Sequence, residues 1–468
     1  LDFEVSSDFF SHFLKNIKKT AYKLFMINRL KRVPVLLWAL LVPWLAVAQT
    51  QPEAPGQPLT LNECISYAMA NQPEVKQAEL DEAIGEREIK AELSGWLPQI
   101  GLQFNASHNF KLQTTAFGDQ LITIGKKNNS NLLLQANQTL YSNEVFFASR
   151  AARFTRLSLD QNTINQKINT VVDVSKAFYD VLLTQEQLRI LDENIVRQEK
   201  QYSDALSRYE VGLVDKTDYQ RASITLANIR ADRKRSAESI KGKKAYLKQV
   251  MGFPADSELN LAFENALMEQ EILVDTTQNI TYTNRIEYQQ LQTQQQLLNL
   301  NTSYYRRGFL PTVSAFANYN WLYLNDEFSQ LYNQSYPTSQ AGLSVALPIF
   351  QGTRRLQNVK IAQLREQRLE VEIQNTRNII NTQYQTALAN YKSDLNEYRT
   401  LRRNAEIAEE VYNIIKLQYD EGIKTYLDLI VAETDLRTAQ INYFNALYRV
   451  LASKLDLEEA LGTININR

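Results

Sequence analysis

The chain has 468 residues, 44% hydrophobic, 22% charged and 10% aromatic, which excludes both a disordered chain and a polytopic helical membrane protein. Lys and Arg number 51 against 52 Asp and Glu, so the basic excess that a nucleic-acid partner requires is missing. One cysteine, Cys64, and two histidines, His12 and His108, leave no disulfide framework, zinc cluster or Cys–His nucleophile pair. No cofactor or metal is expected, and no enzyme, although carboxylates remain that are able to do acid–base work.

Residues 1–25 do not fit an export signal and read as a gene-start artefact ahead of Met26. Residues 26–48 have the three parts of a secretory signal peptide. Arg29, Lys31 and Arg32 form its basic region, 35–47 its short apolar core, and Ala46-Val47-Ala48 the small residues before cleavage at Gln49. Removing 1–48 takes away seven basic and three acidic residues and leaves 44 against 49. No cysteine follows the cleavage site, so no lipid anchor is signalled there. Residues 49–58 are Pro- and Gln-rich and read as an extended arm. Beyond the arm no apolar run is long enough to span a bilayer as a helix. If such an exported chain enters a membrane, it does so as strands.

From 59 to 463 the sequence reads as two copies of one pattern, 59–253 and 284–463, separated by 254–283 and followed by a tail, 464–468. A shift of 213 brings Asn71, Gly95 and Pro98 onto Asn284, Gly308 and Pro311. A shift of 210 brings Tyr209, Gly212 and Asp218 onto Tyr419, Gly422 and Asp428. Each copy reads as helix, strand, strand, long helix, turn, helix. The strands are expected at 98–111 and 132–141, then at 311–325 and 339–350. Ile100, Leu102 and Phe104 alternate with Gln103 and Asn105, a period of two that suits a barrel strand, apolar out and polar in. Val313 to Tyr323 alternate less cleanly, because Phe316 and Leu322 fall on the polar parity. Tyr319, Trp321 and Tyr323 suit a membrane-interface girdle. The linkers at 112–131 and 326–338 read as polar exterior loops.

No proline falls between 99 and 253 or after 348, and no glycine between Gly125 and Gly212 or between Gly352 and Gly422. Helices are therefore expected over 144–210, 216–251, 353–420 and 424–460, the longest reaching about 100 Å. In the third of these, Ile380, Tyr384, Ala387, Tyr391, Leu395, Tyr398, Tyr412 and Tyr419 recur at helical steps of three or four, a coiled-coil seam. Tyrosine where leucine is usual suggests a seam close to water. Gly212 and Gly422 interrupt breaker-free helix and mark the two turns. Four strands cannot close a barrel, since the smallest have eight, so an oligomer of two or three copies is required.

These features resemble the outer-membrane efflux proteins of the TolC type. The resemblance rests on Leu59-Thr60-Leu61, the two Leu-Pro junctions, strand ends Leu140-Tyr141-Ser142 and Leu347-Pro348-Ile349-Phe350, and the turns Arg208-Tyr209-Glu210-Val211-Gly212-Leu213 and Gln418-Tyr419-Asp420-Glu421-Gly422-Ile423. It implies an α+β membrane protein: a homotrimer with a long α-helical coiled-coil barrel and four strands per chain in a shared transmembrane β-barrel. It implies that 254–283 is an equatorial insertion. The chain would be a passive exit duct in the outer membrane of a diderm bacterium, with a long periplasmic extension. It would serve a tripartite efflux or type I secretion system with a periplasmic adaptor and an inner-membrane pump. A structural or adhesive coiled-coil spacer is the alternative. Gly212, Leu213, Gly422 and Ile423 would then be the adaptor-contacting tips. Tyr419 and Lys424 would reach Asp218 as a latch, and Asp428 would line the constriction. Where related ducts often carry a second aspartate, this chain has Val431, so part of the constriction becomes apolar.

Overall fold

A computed structural model describes residues 58–262, 268–269 and 272–466; the expectations for 1–57 and the last two residues lie outside these. The first helical stretch is two helices, α1 (Leu61–Asn71) and α2 (Pro73–Leu93). Pro73 has no N–H to continue α1, while its fixed φ suits the first turn of α2. The Gln72 side chain caps that turn, accepting from Val75 N at 2.7 Å. At the start of α1, Thr60 and Glu63 form a reciprocal capping box.

Four long strands follow in two visits: β1 (Gln99–His108), β4 (Asn128–Tyr141), β5 (Thr312–Asn325) and β6 (Ser335–Ala346). They form one antiparallel sheet in the order β1-β4-β5-β6. Directly opposed residues share a face. One face gathers Ile100, Leu102 and Phe104, then Leu132 and Leu134, then Tyr319 and Trp321, then Leu343 and Val345. The other gathers Gln103 and Asn105, Gln135, Asn318 and Asn320, Thr338 and Gln340. Phe316, on the polar face, stands over Gly342, where a Cβ would meet its ring at 3.0 Å. The glycine opposite explains this break in alternation, since the ring covers the position a side chain would fill.

Two strand expectations are corrected. Residues 112–131 are not simply a polar loop. They carry a hairpin, β2 (Gln113–Phe117) and β3 (Gln120–Ile124), closed by Gly118-Asp119 with Gly118 at φ +62°. That dipeptide is itself a hairpin signal. The last strand lies at Ser335–Ala346 rather than 339–350, because β5 begins at Thr312 and offers no partner beyond Ala346. Leu347 to Phe350 alternate in the same way but have nothing to pair with.

The long helices are α3 (Asn143–Glu210), α4 (Lys216–Met251), α6 (Arg354–Asp420) and α7 (Tyr426–Leu461), with α5 (Ile286–Arg306) preceding β5. α3 packs on α4 and α6 on α7 as two hairpins, joined through α3 and α7, so the side-by-side order is α4-α3-α7-α6. Among the described residues no helix is long and apolar enough to cross a membrane. The main core lies away from the turns, where Phe178, Val181, Leu182 and Ile190 of α3 meet Leu447, Val450 and Leu451 of α7, with Cys64 and Ile65 of α1 over them. Each fully buried side chain of this kind contributes about 1.5–3 kcal/mol.

The α6 seam corrects the expectation of a wet tyrosine stripe. Tyr391 is 0% exposed. Its hydroxyl donates to Ile272 O at 2.8 Å and accepts from Val274 N at 3.1 Å. Tyr384 donates to Gln278 O at 2.8 Å, and Tyr443 of α7 donates to Glu269. The Tyr391 and Tyr384 hydroxyls tie down the backbone of the segment after Met251, and that of Tyr443 holds a side chain there. Tyrosine replaces leucine because an irregular segment leaves buried amides and carbonyls that need partners.

Candidate functional site

Both hairpins turn through the same motif. Gly212, φ +75°, donates its N–H to Tyr209 O at 2.9 Å, and Leu213 N–H reaches Arg208 O at 2.8 Å. Gly422, φ +76°, donates to Tyr419 O at 3.0 Å, and Ile423 N–H reaches Gln418 O at 2.8 Å. A positive φ wraps the chain so that carbonyls orphaned at the helix end find donors, a geometry that glycine adopts without strain. Nothing stands within 4 Å of a Cβ built on either glycine. The residue after such a turn often packs back on the helix. Here the positions it would meet are Arg208 and Gln418, so Leu213 (75% exposed) and Ile423 (72%) face outward.

The helices leaving the turns begin on capping carboxylates. Asp215 accepts from Thr217 N at 2.8 Å, which places Asp218 in the first turn of α4. Asp428 accepts from Thr425 N at 3.0 Å and Thr425 Oγ1 at 2.8 Å, while its own N–H returns to Thr425 Oγ1 at 3.2 Å. These bonds, first from the Thr425 side chain, then from its backbone, hold the Asp428 carboxyl below the usual range, with the Lys424 charge adding to them. Asp428 thus already serves its own helix.

Tyr419 sits between the hairpins. The Arg208 guanidinium lies 5.2 Å from its ring centroid and the Tyr426 ring 6.2 Å away. Burial raises its hydroxyl above the ordinary phenol range; Arg208 opposes this, and Asp204, Asp218 and Asp420 reinforce it. Among the described residues no hydrogen bond joins Tyr419 to Asp218, and Lys424 is exposed and makes no ion pair. The structure brings Arg208 of the first hairpin to Tyr419. The repeated pattern around Tyr209 and Tyr419 draws attention to the tyrosines but is silent on an arginine from the other hairpin. Val431 is 50% exposed and Leu427 lies one turn away, also exposed, an apolar strip beside Asp428.

Farther from the turns lies a residue that the sequence reading passed over. Glu433 is an acidic side chain only 3% exposed. It stands in the stripe Tyr426, Leu429, Glu433, Leu436, all buried at steps of three and four, so the signal was a carboxylate on an apolar helix face. Among the described residues no three metal-ligating side chains are grouped to hold an ion.

The model of the family described as "Outer membrane efflux protein" matches residues 64–252 and 279–463. Outer membrane protein TolC of Escherichia coli (strain K12) is 21% identical over 453 residues, covering 93% of this chain and 87% of that protein. Proteases secretion protein PrtF of Dickeya chrysanthemi is 22% identical over 427 residues, covering 88% and 89%. Among solved structures, the open state of the Neisseria gonorrhoeae MtrE outer membrane channel superposes with a TM-score of 0.70 at 19% identity, covering 86% of this chain and 88% of that one. VceC from Vibrio cholerae gives 0.67 at 17%, covering 86% and 96%. With the family model spanning both halves and the fold matching along most of the chain, this protein belongs to the outer membrane efflux protein family and is an outer-membrane exit duct of the TolC type.

Proposed function

We propose that three copies build one passive duct, each contributing β1, β4, β5 and β6 to a twelve-stranded barrel and its long helices to a periplasmic tunnel. The observation that carries this reading is the open sheet. β1 and β6 are long strands with one unpaired edge each, and one face of the sheet is exposed and apolar, a surface that lipid would cover. The helix layer is open in the same sense, with α4 at one side and α6 at the other. In both layers one edge belongs to the first half of the chain and the other to the second, so the second-half edge of one copy meets the first-half edge of the next. Such head-to-tail contacts close into rings.

The two halves act as internal repeats flanking an equatorial insertion. Gly252 approaches Asn71 as Gly462 approaches Asn284, at 2.6 and 2.7 Å from a built Cβ to the carbonyl oxygen. Leu213 and Ile423, exposed on rigid turns, offer apolar contacts to a periplasmic adaptor. The energy for transport comes from an inner-membrane pump, and this chain acts as neither an enzyme nor a cofactor carrier. Asp218, Tyr419 and Lys424 latch neighbouring copies, and Asp428, Leu427 and Val431 line the narrow entrance. Native mass measurement of the detergent-extracted protein should give a trimer, and lipid bilayers should show single-channel conductance. A monomer, or a trimer that never conducts, would favour a structural spacer. Tyr419→Phe combined with Lys424→Ser should raise resting conductance without affecting folding; unchanged conductance in an inserted trimer would remove the latch.

A further inference from the structure

The contact between the two hairpins changes character along α3. From Val171 to Ile190 its buried residues are mostly apolar and face Phe444, Leu447, Val450 and Leu451 of α7. Nearer the turn the same stripe becomes Asn194 and Gln198, both buried, and opposite them α7 presents Glu433. The Glu433 carboxylate takes donors from α3 alone. Arg197 Nε lies 3.3 Å from Oε1, Gln201 Nε2 lies 2.7 Å from Oε2, and Gln198 Nε2 also donates to Oε2. Arg197 is held in turn by Asn194 Oδ1 at 3.0 Å and lies 5.8 Å from the centre of the Tyr412 ring of α6. The nearby apolar cluster of Tyr412, Leu429 and Leu436, with Ala408, Ile415 and Tyr419 against it, belongs wholly to α6 and α7. Glu433 and Gln201 each stand eleven residues from their tip glycine, about 16 Å along a helix. Between them and the tips, Arg208 of α3 lies over Tyr419 of the second hairpin.

We propose that Glu433, with Arg197, Gln198 and Gln201, is a polar clasp that sets the angle between the two helical hairpins and so the aperture at the tips. The inference rests on the duct reading for its consequence, while the clasp itself lies within one chain. The physical case is the chemistry of the joint. An apolar seam tolerates sliding, since its attraction has no direction, whereas a buried carboxylate with three directed donors fixes one register. It is also reversible in a way that an apolar core is not, because its groups are satisfied again by water once the hairpins part. Two buried atoms nearby lack partners, Gln198 Oε1 and the Tyr426 hydroxyl, the latter two helical turns below Glu433 on the same face. Unpaired buried polar atoms are rare in settled packing.

The test uses the assembled protein in a Cys64→Ala background, with spin labels on cysteines at the exposed positions Lys216 and Glu421, one per hairpin. Glu433→Gln turns one of the two acceptor atoms into a donor facing donors. It should broaden the distance distribution between labels and raise resting conductance several-fold. Moving the charge across the interface, Gln198→Glu with Glu433→Gln, should restore both. A Glu433→Gln protein that melts earlier but keeps wild-type distances and conductance would make Glu433 a packing residue only, and the clasp would be rejected. If the wild type never conducts, the duct reading fails, and the distances still decide the clasp.

Discussion

At the tips, Gly212 and Gly422 turn α3 and α6 with open space around them; at the opposite ends, Gly252 and Gly462 turn α4 and α7 against the backbone of another segment. All four have φ between +67° and +76°, and all four place their N–H and that of the next residue on the preceding helix turn. The motif is the same and the surroundings differ. At the tips glycine answers a torsional demand only. At the opposite ends it also answers a steric one, because the end of α1 and the turn before α5 lie in contact with it. The difference separates turns packed against another segment from turns that stand free of one.

The largest effect should come from filling the two crowded glycines. Gly252→Ala or Gly462→Ala adds a left-handed strain of about 1–2 kcal/mol and pushes a methyl onto a carbonyl oxygen that cannot swing aside. The total should be about 3 kcal/mol or more, seen as a marked loss of thermal stability or of folded protein. If either alanine variant melted like wild type, the close approach would be wrong. Gly212→Ala and Gly422→Ala should cost only the torsional part, about 1–2 kcal/mol confined to the turn. A tryptophan at either tip should leave assembly and membrane insertion intact and abolish cross-linking to the proposed adaptor.

Tyrosines provide a second contrast of intermediate size. Tyr391→Phe leaves Ile272 O and Val274 N without their hydroxyl partner and should cost about 1–3 kcal/mol. Tyr412→Phe, nearer the tip, keeps the ring beside Arg197 and has no recorded hydrogen bond to lose, so its cost should stay within about 0.5 kcal/mol. Chemical denaturation of the two variants side by side measures the gap; equal losses would contradict the strapping role of Tyr391.

The smallest effect is a pH dependence shared by both regions. Glu63 caps α1 far from the tips and Asp428 caps α7 near one, and hydrogen bonds from Thr60 and Thr425 lower both carboxyls. A lowered folded-state pKa stabilises the fold fully above the unfolded value, about 4 for these groups, and that contribution is lost as pH falls through the lowered value. The stability gap between wild type and Asp428→Asn should therefore be present at neutral pH and close in acid. A gap that persisted in acid would assign the loss to something other than the cap.

Reading along the chain was strongest where torsion alone decides. The runs free of glycine and proline bound α3 and α6, and Gly212 and Gly422 stand at the turns because L residues resist positive φ. The apolar alternation of Ile100, Leu102 and Phe104 likewise assigns one face of β1. Less was legible wherever a second segment chooses. The frame of β6 slipped by four residues because pairing with β5, not the run of alternation through Phe350, sets where a strand ends. The hairpin within 112–131 was readable from Gly118-Asp119 and went unread because its flanks are only five residues each and do not alternate regularly.

What the sequence by itself determined is the set of long helices, their turns and caps, and which sheet face is apolar. Each follows from bonds between near neighbours or from a period of two or three to four residues. Tertiary structure alone decided that Tyr391 ties down Val274, 117 residues away, that Arg208 of one hairpin covers Tyr419 of the other, and that Glu433 is held by Gln201, 232 residues before it. Period places these side chains on an inner face. Only the packing of whole helices decides which partner that face meets, because such contacts join residues that the local rules treat as unrelated.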